Sequence, residues 1–542
     1  MKYNYLVTYY WLIKQFGGGK KRWTKFHHNG VIFPPDYIPH NIPVIYEGDK
    51  IHLTPKAEEA ATMYAKYIDT EYVKNRIFNK NFWNDWKKIL GKDHIIKSLE
   101  SCNFKLIHNY LMEDKEKKKN IPKHEKELLK QEKENFESKY KIAYVDDKPQ
   151  PVGNFRIEPP GIFIGRGCHP KLGKIKHRIY PEDITLNLSK DAIVPAPPIG
   201  HKWGKIIHDN NVEWLASWKD DISGKVKYVW LGAHSDFKAE SDKNKFDKAR
   251  KLKKNIKKIR DENDINLKNK DPKIRQIATA LYFIDNLALR VGNEKGEDEA
   301  DTVGVTSLRV EHVELLNNNK VKLDFLGKDS VHYVNTVEVS DTVYSNLRDF
   351  TENKNKDNPL FEKMNSSDLN KYLQSFMKEL TAKVFRTYNA SNLFQKELTK
   401  VSNKYDKYNE QDKLNLLLDE FNKANAKVAL LCNHQKNISK SFSDQLKKIN
   451  EKISEVKKKI KDTDNKEKIK KLKIKLNQLK SKKDLKIEMK NISLGTSKIN
   501  YIDPRITIAF MKKHNLPVDK IFSKTLQDKF NWAMDTDSSF VF

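Results

Sequence analysis

The stretch "LGTSKINYIDPR", Leu494 to Arg505, decides how the C-terminal part of this chain folds. Asp503 suits a helix N-cap and Pro504 a first helical residue. Tyr501 therefore stands just ahead of a helix N-terminus, where backbone N–H groups and the helix dipole favour a nearby anion such as phosphate. The stretch follows a lysine-rich run with order in it. Phe442, Leu446, Ile449, Ile453, Val456 and Ile460 recur at spacings of three and four, "DTDN" (Asp462 to Asn465) interrupts, and Ile469, Leu472, Leu476 and Leu479 resume the seam. Two apolar seams joined by a short turn predict an antiparallel coiled-coil hairpin. A hairpin returns its ends to one place, so Tyr501 is expected close to His434 in space although far from it in sequence.

Outward from that hairpin the chain from about residue 236 reads as largely helical. In "KIRQIATALYFIDNLALR" an apolar face runs through Ile274, Ile277, Ala278, Leu281, Ile284, Leu287 and Ala288. "DLNKYLQSFMKELTAKVFRTYNAS" carries Leu369, Tyr372, Leu373, Phe376, Met377, Leu380, Val384 and Phe385 at helical spacing. "KLNLLLDEFNKANAKVALLCNHQ" does the same through Leu414, Leu417, Leu418, Phe421, Val428 and Leu431. These stripes are core. "VKLDFLGKDSVHYV" predicts a β-hairpin turning at "GKDS", because Val321, Leu323 and Phe325 alternate with Lys322 and Asp324.

The N-terminal part is mixed. Strand-like segments over residues 22–54 precede a helix from about Pro55. Residues 105–141 read as one or two exposed, charged helices broken near Pro122. "DITLNLS" and "KVKYVWLGA" alternate like strands, with one basic Gly-rich loop, "GRGCHPKLGKIKHR", ahead of them and another, "APPIGHKWGK", between them. The aromatic opening, residues 1–22, lacks a small-residue cleavage site and is broken by Asn4 and Lys14; it reads as a packed or disordered segment rather than a signal peptide.

With 542 residues the chain is long enough for two to four domains of about 100–200 residues. Its formal net charge of +30 predicts attraction to a polyanion. No run of about 18 apolar residues is present to span a bilayer, and the charge is spread along the chain, which points to nucleic acid rather than a membrane surface. Cys102, Cys168 and Cys432 have neither metal spacing nor a disulfide framework, as expected in a reducing compartment.

"LGTSKINYIDPRIT" closely resembles the active-tyrosine segment of the eukaryotic-type DNA topoisomerase I (type IB) family. Further segments resemble that family in the same order: "FRIEPPGIFIGRGCHPKLGKIKHRIYPEDI", "PPIGHKWG", "ALYFIDNLALRVGNEKGEDEADTVGVTSLRVEH", "DFLGKDSVHY", "LTAKVFRTYNAS", "ALLCNHQ" and "KIFSKTLQDKFNWAMD". The likeness runs from about Trp23 to Phe542. Carried over residue by residue, it implies a catalytic set of Arg290, Lys328, Arg386, His434 and Tyr501. Taken singly, Arg290 reads equally as a helix C-terminal cation, Lys328 as a turn lysine, Arg386 as half of an ion pair and His434 as a helix cap. Within the matched segments they read as one set. The resemblance also implies contacts to DNA from Arg166, His169, Lys176, Lys227, Asn293 and Asn500.

The implied fold is α+β: a two-lobed DNA clamp with a mixed α/β cap lobe, a mainly helical, tyrosine-recombinase-like catalytic lobe, and a projecting antiparallel coiled-coil linker. The implied division is a cap lobe over residues 1–234, with the charged helices of 105–141 projecting from it; a catalytic core over 235–435; the linker over 436–491; and a C-terminal domain over 492–542 that carries the tyrosine. The implied activity is ATP-independent relaxation of supercoiled duplex DNA through a 3′-phosphotyrosine, without a cofactor or obligatory metal, by a nuclear and monomeric enzyme. Two features depart from the family. "FIGRG" has Ile164 where an arginine is common, which puts one phosphate or minor-groove contact in doubt, and the long basic N-terminal tail that usually carries nuclear localisation signals is not in this sequence. Two alternatives remain: a tyrosine recombinase, which uses a similar Arg/Lys/His/Tyr set, and a non-catalytic basic DNA-binding scaffold.

Overall fold

A computed structural model describes residues 21–293, 296, 299–401, 405, 410–436, 438 and 441–542. The aromatic opening, save Lys21 and Arg22, lies outside the described residues. The fold is mixed, 50% helix and 13% strand. It divides into two compact units, Met1–Ala239 with Gly296–Ala300, and Glu240–Lys295 with Asp301–Phe542.

The first unit has two apolar cores. One is aromatic: the helices α1 (Pro55–Ala65) and α2 (Arg76–Leu90) bring together Tyr64, Phe78, Phe82 and Trp86, with Phe104 beside them. The Tyr64 and Phe82 rings stack with centroids 4.4 Å apart, and truncating a ring so placed costs about 3–5 kcal/mol. Asn75 starts α2 by accepting from the N–H groups of Ile77 and Phe78. The second core is sheet-built. After the short strands β1 (Phe26–His28), β2 (Val44–Tyr46), β3 (Asp49–Ile51), β4 (Cys102–Asn103), β5 (Ile142–Val145), β6 (Lys148–Pro151), β7 (Gly161–Ile162) and β8 (Ile175–Lys176), strands β9 (Thr185–Asn187), β10 (Lys205–Ile207), β11 (Trp214–Lys219) and β12 (Val226–Trp230) form a sheet in the order β10-β9-β11-β12, in which only β9 and β10 are parallel. The fully buried Leu186, Leu215, Ala216 and Val229 lie within it.

The charged region expected over 105–141 is two helices, α3 (Lys105–Lys119) and α4 (Lys123–Ser138), interrupted at Pro122. Each buries a single residue, Ile107 and Glu137, because their remaining side chains are largely charged and cannot enter a core.

The second unit has one large core. Its helix α6 (Pro272–Leu287) follows α5 (Asp236–Asn266), a meander of β13 (Val313–Leu316), β14 (Lys320–Gly327) and β15 (Val331–Glu338) comes next, and α7 (Asp341–Thr351) follows the meander. The expected β-hairpin is β14–β15, paired through to Gly327 opposite Val331. Helix α6 buries Gln276 through Leu281 and Phe283 through Asp285, more than the one apolar face given by its spacing, because neighbours pack around it. One expectation needs correcting. The apolar run from Leu369 to Phe385 is two helices, α8 (Ser366–Phe376) and α9 (Ala382–Thr399), since Met377 turns extended and Glu379 takes a φ of 63°. Helical spacing carries across the break because Leu380 is buried in the same core.

Helix α10 (Glu410–Leu431) packs on α9. The lysine-rich run forms α11 (Phe442–Lys461) and α12 (Lys466–Glu488), which pack on each other along the seam, with Ile449, Ile453, Val456 and Leu485 buried. The short α13 (Leu494–Asn500) and α14 (Pro504–Lys513) complete the elements around the candidate site.

Candidate active site

The two ends of the α11–α12 hairpin are tied together by backbone. Lys436 N donates to Asn491 O at 2.8 Å, Gln435 bridges Ile492, and Ser493 N donates to His434 O at 2.8 Å. The segment carrying Tyr501 is thereby fastened to the segment carrying His434 in one short antiparallel crossing.

Tyr501 ends α13, its N–H donating to Ser497 O at 3.0 Å, and Ile502 N donates to the same oxygen at 3.0 Å. The fully buried Ser391, on α9, donates from its hydroxyl to Tyr501 O at 3.0 Å and accepts from Asp503 N at 3.0 Å. Asp503 caps α14 through Arg505 N, and its carboxylate also receives the Arg505 guanidinium. Burial pushes Asp503 upward in pKa, and Arg505 opposes that shift. The backbone of Tyr501 is therefore held from two elements, α13 through Ser497 and α9 through Ser391.

Arg386 projects from α9 and is 5% exposed. Its guanidinium donates to Ala288 O at 2.6 Å and to Cys432 O, and these two bonds fix its plane. Ala288 presents that carbonyl because it leaves α6 with a φ of 50°. The guanidinium carbon sits 5.0 Å from the Tyr501 ring centre. The Arg386 Nε is buried without a hydrogen-bond partner among the described residues.

His434 lies beyond the end of α10, its N–H donating to Ala429 O at 2.9 Å after Asn433 takes a φ of 49°. Its ring stacks at 30° on Tyr501 with centroids 5.2 Å apart, its Nδ1 is 2.9 Å from Ser497 Oγ, and its Nε2 is 3.4 Å from an Arg386 nitrogen. Burial, followed by the positive charges of Arg386 and Arg290, drives its pKa down to about 3. The ring is neutral at physiological pH. Burial and the Arg290 charge also lower Arg386, yet a guanidinium stays protonated.

Arg290 reaches this cluster through its charge. It stands three residues past the end of α6, and its carbonyl accepts from Val305 N at 2.9 Å. A Cβ on Gly304 would come within 2.5 Å of the Gly292 backbone and 2.8 Å of Arg290 O, so the turn that presents Arg290 requires glycine there. Lys328 is exposed on the β14–β15 turn, where Asp329 and Ser330 take φ of 68° and 57°. That hairpin is latched to the His434 segment: Asn433 Nδ2 and Gln435 Nε2 donate to His332 O at 3.3 and 3.1 Å. Arg386, His434 and Tyr501 meet directly, Arg290 joins through its field, and Lys328 is linked only through the latch at His332.

Three family descriptions match successive parts of the chain. "Eukaryotic DNA topoisomerase I, DNA binding fragment" covers residues 21–231, "Eukaryotic DNA topoisomerase I, catalytic core" covers 234–488, and "C-terminal topoisomerase domain" covers 466–542. Among curated relatives, DNA topoisomerase 1 of Caenorhabditis elegans is 44% identical over 96% of this chain and 67% of its own length, and that of Homo sapiens 42% over 95% and 71%. The chain belongs to the eukaryotic DNA topoisomerase I family. DNA topoisomerase 1 beta of Arabidopsis thaliana is 46% identical over 97% of this chain, which spans 60% of that relative's length.

The topoisomerase I resemblance singled out six further side chains. In the first unit Lys176 and Lys227 converge on one carboxylate, Glu158 Oε2, at 2.5 and 2.7 Å, and Lys227 also meets Asp220 at 3.0 Å. Burial raises Glu158, but the two lysines outweigh it and hold its pKa low. Burial likewise lowers Lys227, and its two carboxylates outweigh that and raise it. Arg166 is exposed, close to Gly167 with its φ of 60°. His169 packs edge-on to Phe163, and its Nδ1 accepts from Lys171 N at 3.1 Å; burial and then Lys171 lower its pKa. In the second unit Asn293 accepts from Ser366 Oγ at 3.0 Å, and Asn500 donates to Thr496 O at 3.2 Å. Ile164 is 38% exposed, an apolar side chain two residues before Arg166.

Sequence reasoning passed over Ser391, Ser497 and the carbonyls of Ala288 and Cys432. The serines lie inside quoted segments, "TYNAS" and "LGTSKINY", and Ser497 precedes Tyr501 by one helical turn, the available signal. Carbonyl acceptors leave no trace in residue identity.

Proposed function

We propose that this chain is a type IB DNA topoisomerase, relaxing supercoiled duplex DNA by cutting one strand, letting it swivel and resealing it. The observation that carries this reading is the placement of the Tyr501 ring against both the buried Arg386 guanidinium and the neutral His434 ring, which also touch each other. In the proposed reaction the Tyr501 oxygen attacks a backbone phosphorus in line. A P–O bond to the phenol forms as the bond to O5′ breaks, and the phenol proton passes to water. Charge gathers on the two non-bridging oxygens. Arg290 and Arg386 meet it with permanently protonated forks, and the buried Arg386 Nε has no hydrogen-bond partner among the described residues. His434, neutral, donates one hydrogen bond.

Lys328 on its turn protonates the departing O5′, since an alkoxide leaves poorly without a proton. The products are a 3′-phosphotyrosine and a free 5′ hydroxyl. The ester keeps the energy of the bond it replaced, so resealing reverses these steps without ATP.

The swivelling strand requires that the rest of the duplex be held. We assign that task to a clamp of cap lobe and catalytic lobe, with Arg166, His169, Lys176 and Lys227 from the cap and Asn293 and Asn500 from the catalytic lobe against the DNA. Glu158 supports this reading by gathering Lys176 and Lys227 on one patch of the first unit. The α11–α12 hairpin acts as the coiled-coil linker, its lysines facing the rotating duplex and slowing it. Contacts are mostly to phosphate, with steep salt dependence. The enzyme works as a monomer in the nucleus.

The deciding experiment is relaxation of a supercoiled plasmid in EDTA without ATP, with denaturing-gel detection of protein linked to a 3′ DNA end. Relaxation together with a covalent adduct lost in Tyr501→Phe is expected. Activity that needs two paired sites would indicate a recombinase instead, and binding without cleavage a scaffold.

A further inference from the structure

Ser497 is a fully buried hydroxyl to which the mechanism above gives no task. Its Oγ is 2.9 Å from His434 Nδ1, while its carbonyl accepts from the N–H groups of both Tyr501 and Ile502. One residue thus holds the ring of His434 by its side chain and the backbone of Tyr501 by its main chain.

The hydrogen-bond types at His434 impose a constraint. Its Nε2 faces an Arg386 nitrogen at 3.4 Å. A guanidinium only donates, so in this state Nε2 carries the lone pair. The ring is neutral, held so by burial and two guanidinium charges. Its one N–H is therefore on Nδ1 and points at Ser497 Oγ. A phosphate oxygen only accepts. For His434 to donate to one, Nε2 must carry the proton, and Nδ1 then needs a donor. A hydroxyl is the small neutral group that can accept in the first state and donate in the second. The Arg386 contact is at the long limit for a hydrogen bond, and is the one an arriving anion displaces.

We propose that Ser497 is the positioning residue for His434: its hydroxyl accepts from Nδ1–H in the free site and rotates to donate to Nδ1 when Nε2–H turns to a non-bridging phosphate oxygen. The inference rests on the reading of Tyr501 as nucleophile and His434 as donor. Charge and proton count are unchanged by the switch. The ring gives up the Nδ1 proton and takes one at Nε2 by exchange with water as DNA enters.

Two measurements test it. In the full chain with 15N-labelled histidine, the His434 signals, assigned against His434→Gln, should report the Nδ1–H tautomer in the free protein. They should report the Nε2–H tautomer on binding a short duplex whose scissile phosphate is present. The same tautomer in both states would overturn the proposal, and this arm needs no Ser497 variant to fold. In single-turnover cleavage of a suicide duplex, Ser497→Ala should be slower by about tenfold, less than the roughly 100- to 1000-fold of deleting an oxyanion donor outright. Duplex affinity should match the parent, the melting temperature should fall slightly because His434 Nδ1–H loses its buried acceptor, and Ser497→Thr should recover most of the rate. In a His434→Ala background the Ser497→Ala change should cost nothing further. A parent-like rate in Ser497→Ala, or an equal loss in both backgrounds, would sink the proposal. If instead the parent forms no Tyr501 adduct, it is the functional reading that fails.

Discussion

The guanidinium carbon of Arg386 lies 5.0 Å from the centre of the Tyr501 ring, and two backbone carbonyls, of Ala288 and Cys432, keep it there. In the proposed reaction the contact places a permanent cation against the attacking phenol and close to where phosphate charge would develop. Arg386→Lys keeps the charge but cannot hold both carbonyls with a planar fork. We expect its single-turnover cleavage rate to fall by roughly 100- to 1000-fold with duplex affinity changed little, read by quenched-flow with a suicide substrate. Tyr501→Phe should abolish the adduct entirely while binding duplex as the parent does.

Acid should unfold the first unit partly through His28. This side chain is buried, its Nδ1 accepts from Gly30 N and its Nε2 meets Asn187 O, so it is held neutral. Burial drives its pKa to about 4 from an unfolded value near 6.5. The unfolded chain binds the extra proton, so His28 leaves stability intact above about pH 6.5 and erodes it as pH falls from there to about 4. A shift of that size corresponds to about 3 kcal/mol at most. In His28→Gln the melting temperature should fall less steeply between pH 6.5 and 4 than in the parent; an identical slope would remove His28 from the account.

His434 titrates near 3, so its protonation should leave no acid limb in cleavage between pH 5 and 8. His434→Gln retains an N–H donor without a titratable ring, and its pH–rate profile in that range should parallel the parent's at a reduced level. A parent limb near pH 6 that vanishes in His434→Gln would show that the ring does titrate during turnover.

The crossing of residues 434–436 with 491–493 is made of backbone bonds outside the α11–α12 hairpin. Replacing 442–488 with a short flexible loop should preserve the crossing and therefore cleavage. Plasmid relaxation should become less processive or its rotation faster, as seen in topoisomer ladders and single-molecule unwinding. Complete loss of cleavage would mean that the hairpin positions Tyr501 more directly.

Lys227 sits between Glu158 and Asp220. If it contacts phosphate, Lys227→Ala should weaken duplex binding evenly across sequences and reduce the slope of log affinity against log salt by about 1. An unchanged slope would confine Lys227 to its carboxylates.

Much of this was legible in one dimension. Asp503 and Pro504 announced the start of α14, the period of Phe442 to Leu479 announced two helices and their turn, and alternation around Lys328 announced β14–β15. These are local signals, written by capping, periodicity and turn chemistry within a few residues. The break between α8 and α9 was not legible, because Leu380 keeps the apolar rhythm while the backbone turns out of the helix.

By itself, then, the sequence determined the elements and, through its resemblance to a family, the candidate side chains. Tertiary structure alone decided which of those side chains meet. Arg386 is aimed by carbonyls on two other segments, His434 is made neutral by burial beside two guanidiniums, and Ser391 and Ser497 hold the Tyr501 backbone. The physical reason is that backbone acceptors, burial and summed charge belong to places in space, which residue identities along a chain do not specify.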